Sequence, residues 1–361
     1  MTPSINAHIH LPPNYSAFTS VDQAIALAKE QGITVLGASN YYDWSVYEAF
    51  AQKATAQGIF PLFGLEVICL VPELQAQNVK INDPGNPGKF YLCGKGLTKF
   101  SPLSDDAEAL LSTIRRSDSE RMAQVVTKLS DLLGASLTAE QLKTELAQRH
   151  GCDVETVYLQ ERHVAQAFAD TLGLDPNAVR SQWMKAGKPG YVEETFVGFD
   201  HAYRLILALG GIPCYPTLAD GTSPICGFEE PVESLIAALK AHGIYAAEVI
   251  PTRNTPEVLT RYVTAMREAG LIVTAGTEHN TPALDPLVPT CLGGTPIPEA
   301  LQAIFTEGAA VIAAHQSGPE RYVDAQGQLC AGYSSAETRI AAFAERGAAI
   351  LANVNVQGAT D

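Results

Sequence analysis

The 361-residue chain is 46% hydrophobic with near-neutral mean hydropathy, enough to bury a full core as one large domain or one domain carrying an insertion. No run reaches the roughly 18 apolar residues of a membrane span, and Met1–Tyr15 lacks the basic start and apolar centre of a signal peptide, so a cytoplasmic, membrane-free protein is expected. A formal net charge of −15 with no basic block argues against phosphate-backbone binding, and nucleic acid is not an expected partner.

From residue 5 to about 97, strand-like runs alternate with amphipathic helical stretches: INAH, VDQAIALAKEQG, ITVLGAS, WSVYEAFAQKATAQG, IFPLFGLEV and KFYLCGKGL. This is the βα alternation of a parallel sheet or barrel. Residues 101–190 read differently. They are rich in helix formers, and SERMAQVVTKLSDLLG, TAEQLKTELAQRHG, RHVAQAFADTLG and PNAVRSQWMKAG predict four helices, hence an all-helical insertion. The alternation resumes after about residue 198 with DHAYRLILALGG, IPCY, PVESLIAALKAHG, IYAAEVI, TPEVLTRYVTAMREAG and LIVTAG. Gly32, Gly58, Gly243 and Gly270 close helices just before a strand. EALQAIFTEGAAVIAAHQ and SSAETRIAAFAERGAAILANV continue the α/β pattern without a place in a sheet order. The division expected is a discontinuous domain, 1–100 with 191–361, interrupted by a helical cap over 101–190. Seven scattered cysteines, never C-x-x-C, predict buried free thiols rather than disulfides or a zinc knuckle. No internal repeat and no Gly-rich phosphate loop appears.

His8 and His10 in INAHIH stand two apart on the first strand, so both point to one face and can converge on an ion while Ile9 enters the core. Alone, the pair is also compatible with two polar residues at a strand end. Glu66 in FGLEV and Glu278 in VTAGTEHNT end other strands, and in such folds the strand C-termini build the active site.

The order H-x-H, then strand–Gly-x-Glu, then a late Gly-Thr-Glu resembles the PHP (polymerase and histidinol phosphatase) superfamily of metal-dependent phosphoesterases, over residues 5–97 and about 198–282. ERMAQVVTKLSDLLGASLTAEQL, RHVAQAF and WMKAGKPGYV are similar to the helical insertion of that family's nucleotide-phosphoesterase branch. The resemblance implies an α/β fold, a distorted (β/α)7 TIM-like barrel with an inserted all-helical subdomain. Of the three metals usual in the family, it places the ligands of the first on His8, His10, Glu66 and Glu278, with Glu in place of Asp in the last case. The positions of the other ligands hold Tyr15, Tyr41, Tyr91, Tyr215 and Asn280. One divalent ion is therefore expected, zinc or manganese by the mixed imidazole–carboxylate set, with iron also compatible.

The four tyrosines are candidate catalytic groups, since a phenol can donate to a substrate oxygen or act as an acid or base. The alternatives are rings that fill the space of absent metals, or a tyrosinate–iron(III) site. Arg253, His163, Asn40 and Asn280 are the candidate substrate contacts, with Arg253 equally readable as a solvated charge and His163 as a helix-surface residue; His279 is weighed as a neighbour that orients a ligand. The function implied is a metal-dependent hydrolase of a small molecule, anionic if the phosphoester analogy holds. The alternative is a catalytically inactive relative that binds a small ligand; a polymerase-associated exonuclease is disfavoured by the charge. Nothing in the sequence fixes the oligomeric state.

Overall fold

A computed structural model describes residues 4–357; the outermost residues of the expected barrel domain, 1–3 and 358–361, lie outside it. Eight strands occur in chain order: β1 (Ile5–Ile9), β2 (Val35–Ala38), β3 (Phe60–Leu70), β4 (Lys89–Lys95), β5 (Val197–Gly198), β6 (Ile212–Thr217), β7 (Ala246–Val249) and β8 (Ile272–Ala275). Seven of them follow the order β1-β2-β3-β4-β6-β7-β8, and the two-residue β5 pairs with β3. Beyond β8 the chain pairs back onto β1: Glu278 N donates to His8 O at 2.8 Å and His10 N to Glu278 O at 2.9 Å. The result is a nearly closed, distorted TIM-like barrel. Strands β2, β7 and β8 are buried at every position, which is why they read as continuous apolar runs rather than alternating ones.

Two features depart from simple βα alternation. Strand β4 runs antiparallel to both β3 and β6, because the β3–β4 connection carries only the short helix Pro72–Ala76 and returns at the same end of the sheet. After β8 no strand follows among the described residues: the C-terminal segments are two packed helices, Glu299–Ser317 and Ala336–Gln357. The first lies across the N-terminal mouth of the barrel, where Ala309–Ala314 share a core with Ala7, Val35, Phe60, Ile212, Ala246 and Ile272. Gly308 is required there, since a Cβ would sit 2.1 Å from Val273 O.

Between β4 and β5 the chain is helical. Helix Asp105–Leu133 begins well before the expected start because Ser104 caps it, accepting from Ala107 N, and Asp105, Asp106 and Glu108 fill its first turn. Helices Ala139–His150 and Glu161–Leu172 follow, then Pro176–Val179 running into a π-helical turn, Arg180–Met184. Met122, Val126, Leu129, Leu146, Phe168 and Met184 belong to a hydrophobic core that this segment does not share with the barrel.

Candidate metal centre and pocket

Strand alternation puts His8 and His10 on one face of β1, and β3 brings Glu66 opposite them. Three atoms converge: His8 Nε2 lies 3.3 Å from His10 Nε2, and Glu66 Oε2 lies 3.2 Å from His10 Nε2 and 3.9 Å from His8 Nε2. Behind this trio, His8 Nδ1 is 2.6 Å from Glu248 Oε1, and Glu248 Oε2 is 2.6 Å from Lys95 Nζ. Burial opposes ionisation of Glu248, but Lys95 and His8 outweigh it and hold the carboxyl below its ordinary value. An ionised Glu248 accepts a hydrogen bond from His8 Nδ1–H, and in that tautomer the Nε2 lone pair faces the trio, as a metal-ligating histidine needs.

The trio fits a metal. A tetrahedral cation with bonds of about 2.0–2.1 Å holds its ligand atoms about 3.3 Å apart, close to the spacing found. Glu66 Oε2 is buried without a well-formed hydrogen bond, and the nitrogens of His10 and His8 lie beside it. Burial also lowers the pKa of His10, favouring the neutral ring that can coordinate. A second group, His8 with Cys93 and Glu248, is equally compact. It suits a metal poorly, because Glu248 is engaged on both oxygens and burial raises the Cys93 thiol pKa, keeping it protonated.

Glu278, the fourth residue expected as a ligand, does not join the trio. Its backbone is left-handed at φ 61°, and its carboxylate is turned to Arg253, which grips both oxygens, Nη1 at 3.1 Å from Oε1 and Nη2 on Oε2. Burial works against the charge, but the Arg253 guanidinium outweighs it and holds Glu278 ionised, with a pKa down to about 2. Asn280 Nδ2 donates to the same carboxylate at 2.9 Å. The negative charge of Glu278 is thus largely cancelled.

Of the trio, Glu66 lines a cavity of about 620 Å³ whose other walls include Asp118, Arg162 and Arg180 of the helical segment between β4 and β5. Tyr15, Tyr41, Tyr91, Arg253 and Asn280 line it. Tyr41 stacks on His10 with ring centroids 5.2 Å apart, and burial raises the pKa of Tyr41 well above the phenol value, so it is a protonated donor. Three other candidates are placed elsewhere. Tyr215 points out of the barrel, its hydroxyl donating to Glu229 Oε1 at 2.9 Å, because its neighbour Cys214 takes the position facing Cys93. Asn40 is spent on backbone, accepting from Leu11 N at 2.8 Å and donating to Leu11 O at 2.9 Å. His163 is buried at the start of its helix, accepting from Gln160 N and meeting Tyr15 edge-on, with burial lowering its pKa to about 3. His279 stacks on Phe18 and faces Asp285 O and Thr277, not the trio.

Sequence reasoning missed Lys95, Glu248, Arg162, Arg180, Tyr42 and Asp118. Glu248 carried a signal, as the one charge in the otherwise apolar run IYAAEVI; Lys95 carried less, since KFYLCGK holds a second lysine, Lys89.

No family model and no curated protein sequence matches the chain. Solved structures do. An amidohydrolase from Chromobacterium violaceum, with bound sulfate and no metal, superposes with a TM-score of 0.60 at 19% identity, covering 83% of this chain and 96% of its own. A protein assigned as a metal-dependent phosphoesterase from Bifidobacterium adolescentis gives a TM-score of 0.61 at 14% identity, over 84% and 95% of the two chains. At these identities the likeness is one of fold. It places the seven-stranded barrel and most of the remaining chain within a known architecture.

Proposed function

We propose that the protein is a metal-dependent hydrolase of a small anionic molecule, PHP phosphoesterase-like, working with one divalent ion. The observation that carries this is the convergence of His8 Nε2, His10 Nε2 and the buried Glu66 Oε2, with Glu66 opening onto the cavity. Those three residues would hold the ion, zinc or manganese by donor type with iron compatible, and when bound it supplies Lewis acidity toward an ester or amide oxygen. With one carboxylate rather than two among the ligands, the site keeps a net positive charge and a stronger polarising effect.

The chain's own groups complete the reading. Arg162 and Arg180 face the cavity and make no ion pair with a carboxylate among the described residues, unlike Arg121 and Arg253. Two uncompensated guanidinium groups in a chain of net charge −15 suit an anionic substrate. Tyr41 and Tyr91, kept protonated by burial, are placed to donate to a substrate oxygen. The segment 101–190 acts as the cap that keeps water out once a ligand is bound. No helix among the described residues is long and apolar enough to cross a membrane, and seven free cysteines suit a reducing, cytoplasmic setting.

A second reading, a ligand-binding relative without catalysis, is favoured by one observation: Arg253 occupies Glu278, so only three ligands converge. Metal analysis of protein purified without added metal or chelator tests the first reading. About one zinc or manganese per chain is expected, lost in His8→Ala and Glu66→Ala because affinity depends on simultaneous coordination. Metal-free protein, or content unchanged in both variants, would transfer the case to the second reading.

A further inference from the structure

Away from the trio, two polar side chains in the same cavity have nothing to bind. Tyr42 is 2% exposed, lines the cavity, and its hydroxyl has no hydrogen-bond partner. Asp118 is 8% exposed, lines the same cavity, and makes neither a hydrogen bond nor an ion pair among the described residues. A buried polar group without a partner costs on the order of 1–3 kcal/mol, so the Tyr42 hydroxyl calls for an occupant, which the Asp118 carboxyl, open to the same cavity, can also reach.

The placement is specific. Arg115, Asp118 and Arg121 recur every third residue on helix Asp105–Leu133 and so lie on one face. Arg115 Nε donates to Tyr42 O at 2.7 Å, and its Nη2 lies 3.4 Å from Asp43 Oδ2, pinning that face against the Tyr42 backbone, which is itself left-handed at φ 54°. Arg121 is committed to Glu161 at 2.8 Å and lies 3.7 Å from Glu194. Both arginines beside Asp118 are therefore engaged elsewhere. Burial raises the Asp118 pKa to about 7, with Arg121 opposing, so the carboxyl can both accept and donate near neutrality.

We propose that Asp118 and Tyr42 form a specificity subsite that holds a hydroxyl or amino group of the substrate, at a point on the molecule remote from its anionic group. This deepens the proposed function by naming part of the substrate's chemistry, and it rests on that reading for the anionic group. The occupant must offer a hydrogen to the carboxylate and accept or donate at the phenol, which a hydroxyl or amine does and an alkyl group does not.

The test is calorimetric binding of propyl phosphate, 3-hydroxypropyl phosphate, 3-aminopropyl phosphate and glycerol 3-phosphate to the full chain. Hydroxyl- or amino-bearing probes should bind about fivefold or more tighter than propyl phosphate, the span of one or two net hydrogen bonds. That preference should collapse in Asp118→Leu and in Tyr42→Phe, the second a substitution of nearly unchanged volume. Glu66→Ala should keep the preference, so loss of the metal reading and loss of this one are separable. Propyl phosphate binding as tightly as the others, a preference surviving in both variants, or no binding by any probe would overturn the proposal.

Discussion

Glu248 sits fully buried between His8 and Lys95, 2.6 Å from each, and the Lys95 ammonium is itself only 3% exposed. Glu248→Gln keeps an acceptor for the histidine but strands the ammonium, whose remaining contacts are Ala7 O and Ser39 Oγ, both at 3.2 Å. Breaking a buried pair from one side costs about 3–5 kcal/mol, and Lys95→Met should cost a similar amount by stranding the carboxylate. The double variant strands neither charge. It should cost no more than either single variant, giving a coupling of about 3 kcal/mol or more in a double-mutant cycle measured by urea unfolding. Because Glu248 orients His8, the single variants should also bind zinc about 10–100-fold more weakly in competition with a chromogenic chelator. Strictly additive stability losses, or single-variant costs below about 1 kcal/mol, would refute the view that this ion pair is the buried support of the metal trio.

His315 is fully buried in the helix that closes the barrel base, Nε2 donating to Gly210 O at 2.9 Å and Nδ1 accepting from Tyr322 N at 2.9 Å, which fixes the neutral ring. Burial lowers its pKa to about 4 against about 6.5 unfolded, so between those values the unfolded chain binds the extra proton and stability falls as pH falls. This residue should remove about 2 kcal/mol between pH 7 and pH 5, a slope that flattens in His315→Asn; equal slopes in the two proteins would contradict it. Tyr215→Phe should cost about 1–3 kcal/mol of stability by freeing buried Glu229, with ligand binding unchanged. Tyr41→Phe should do the reverse, leaving metal content intact while affinity for phosphate esters found by thermal-shift screening falls about threefold to tenfold; exchanged phenotypes would undo the assignment of the two rings.

The seven barrel strands were legible because their apolar runs are separated by amphipathic helices of ordinary length, and His8, His10 and Glu66 because strand parity and strand ends are readable in one dimension. The direction of β4 was not, since the sequence does not say at which end of the sheet the chain between Leu70 and Lys89 travels. Tyr215 shows the same limit: its role turned on which of Cys214 and Tyr215 faces inward, and one residue of parity reverses the answer. The pairing of Glu278 with Arg253 was hidden for a different reason. Arg253, 25 positions away, sits close enough to claim its carboxylate, and no local pattern announces a pair formed between two loops. Asn40 and His163 were polar residues spent on backbone and helix start, a use that short-range motifs do not separate from ligand contact.

The helical segment between β4 and β5 has its own apolar core, while the trio and its Lys95–Glu248 support belong wholly to the barrel. Arg162, Arg180 and Asp118 all ride on that segment. The proposed roles thereby divide reactivity and selectivity between two parts of the chain, joined where Ala107, Leu110, Leu111 and Ile114 of the first insertion helix pack into the barrel core. A library that rewrites the cavity-facing positions of the roof can retune which molecules are admitted without disturbing the histidines below, which makes this architecture a chassis for directed evolution in which one half is left alone.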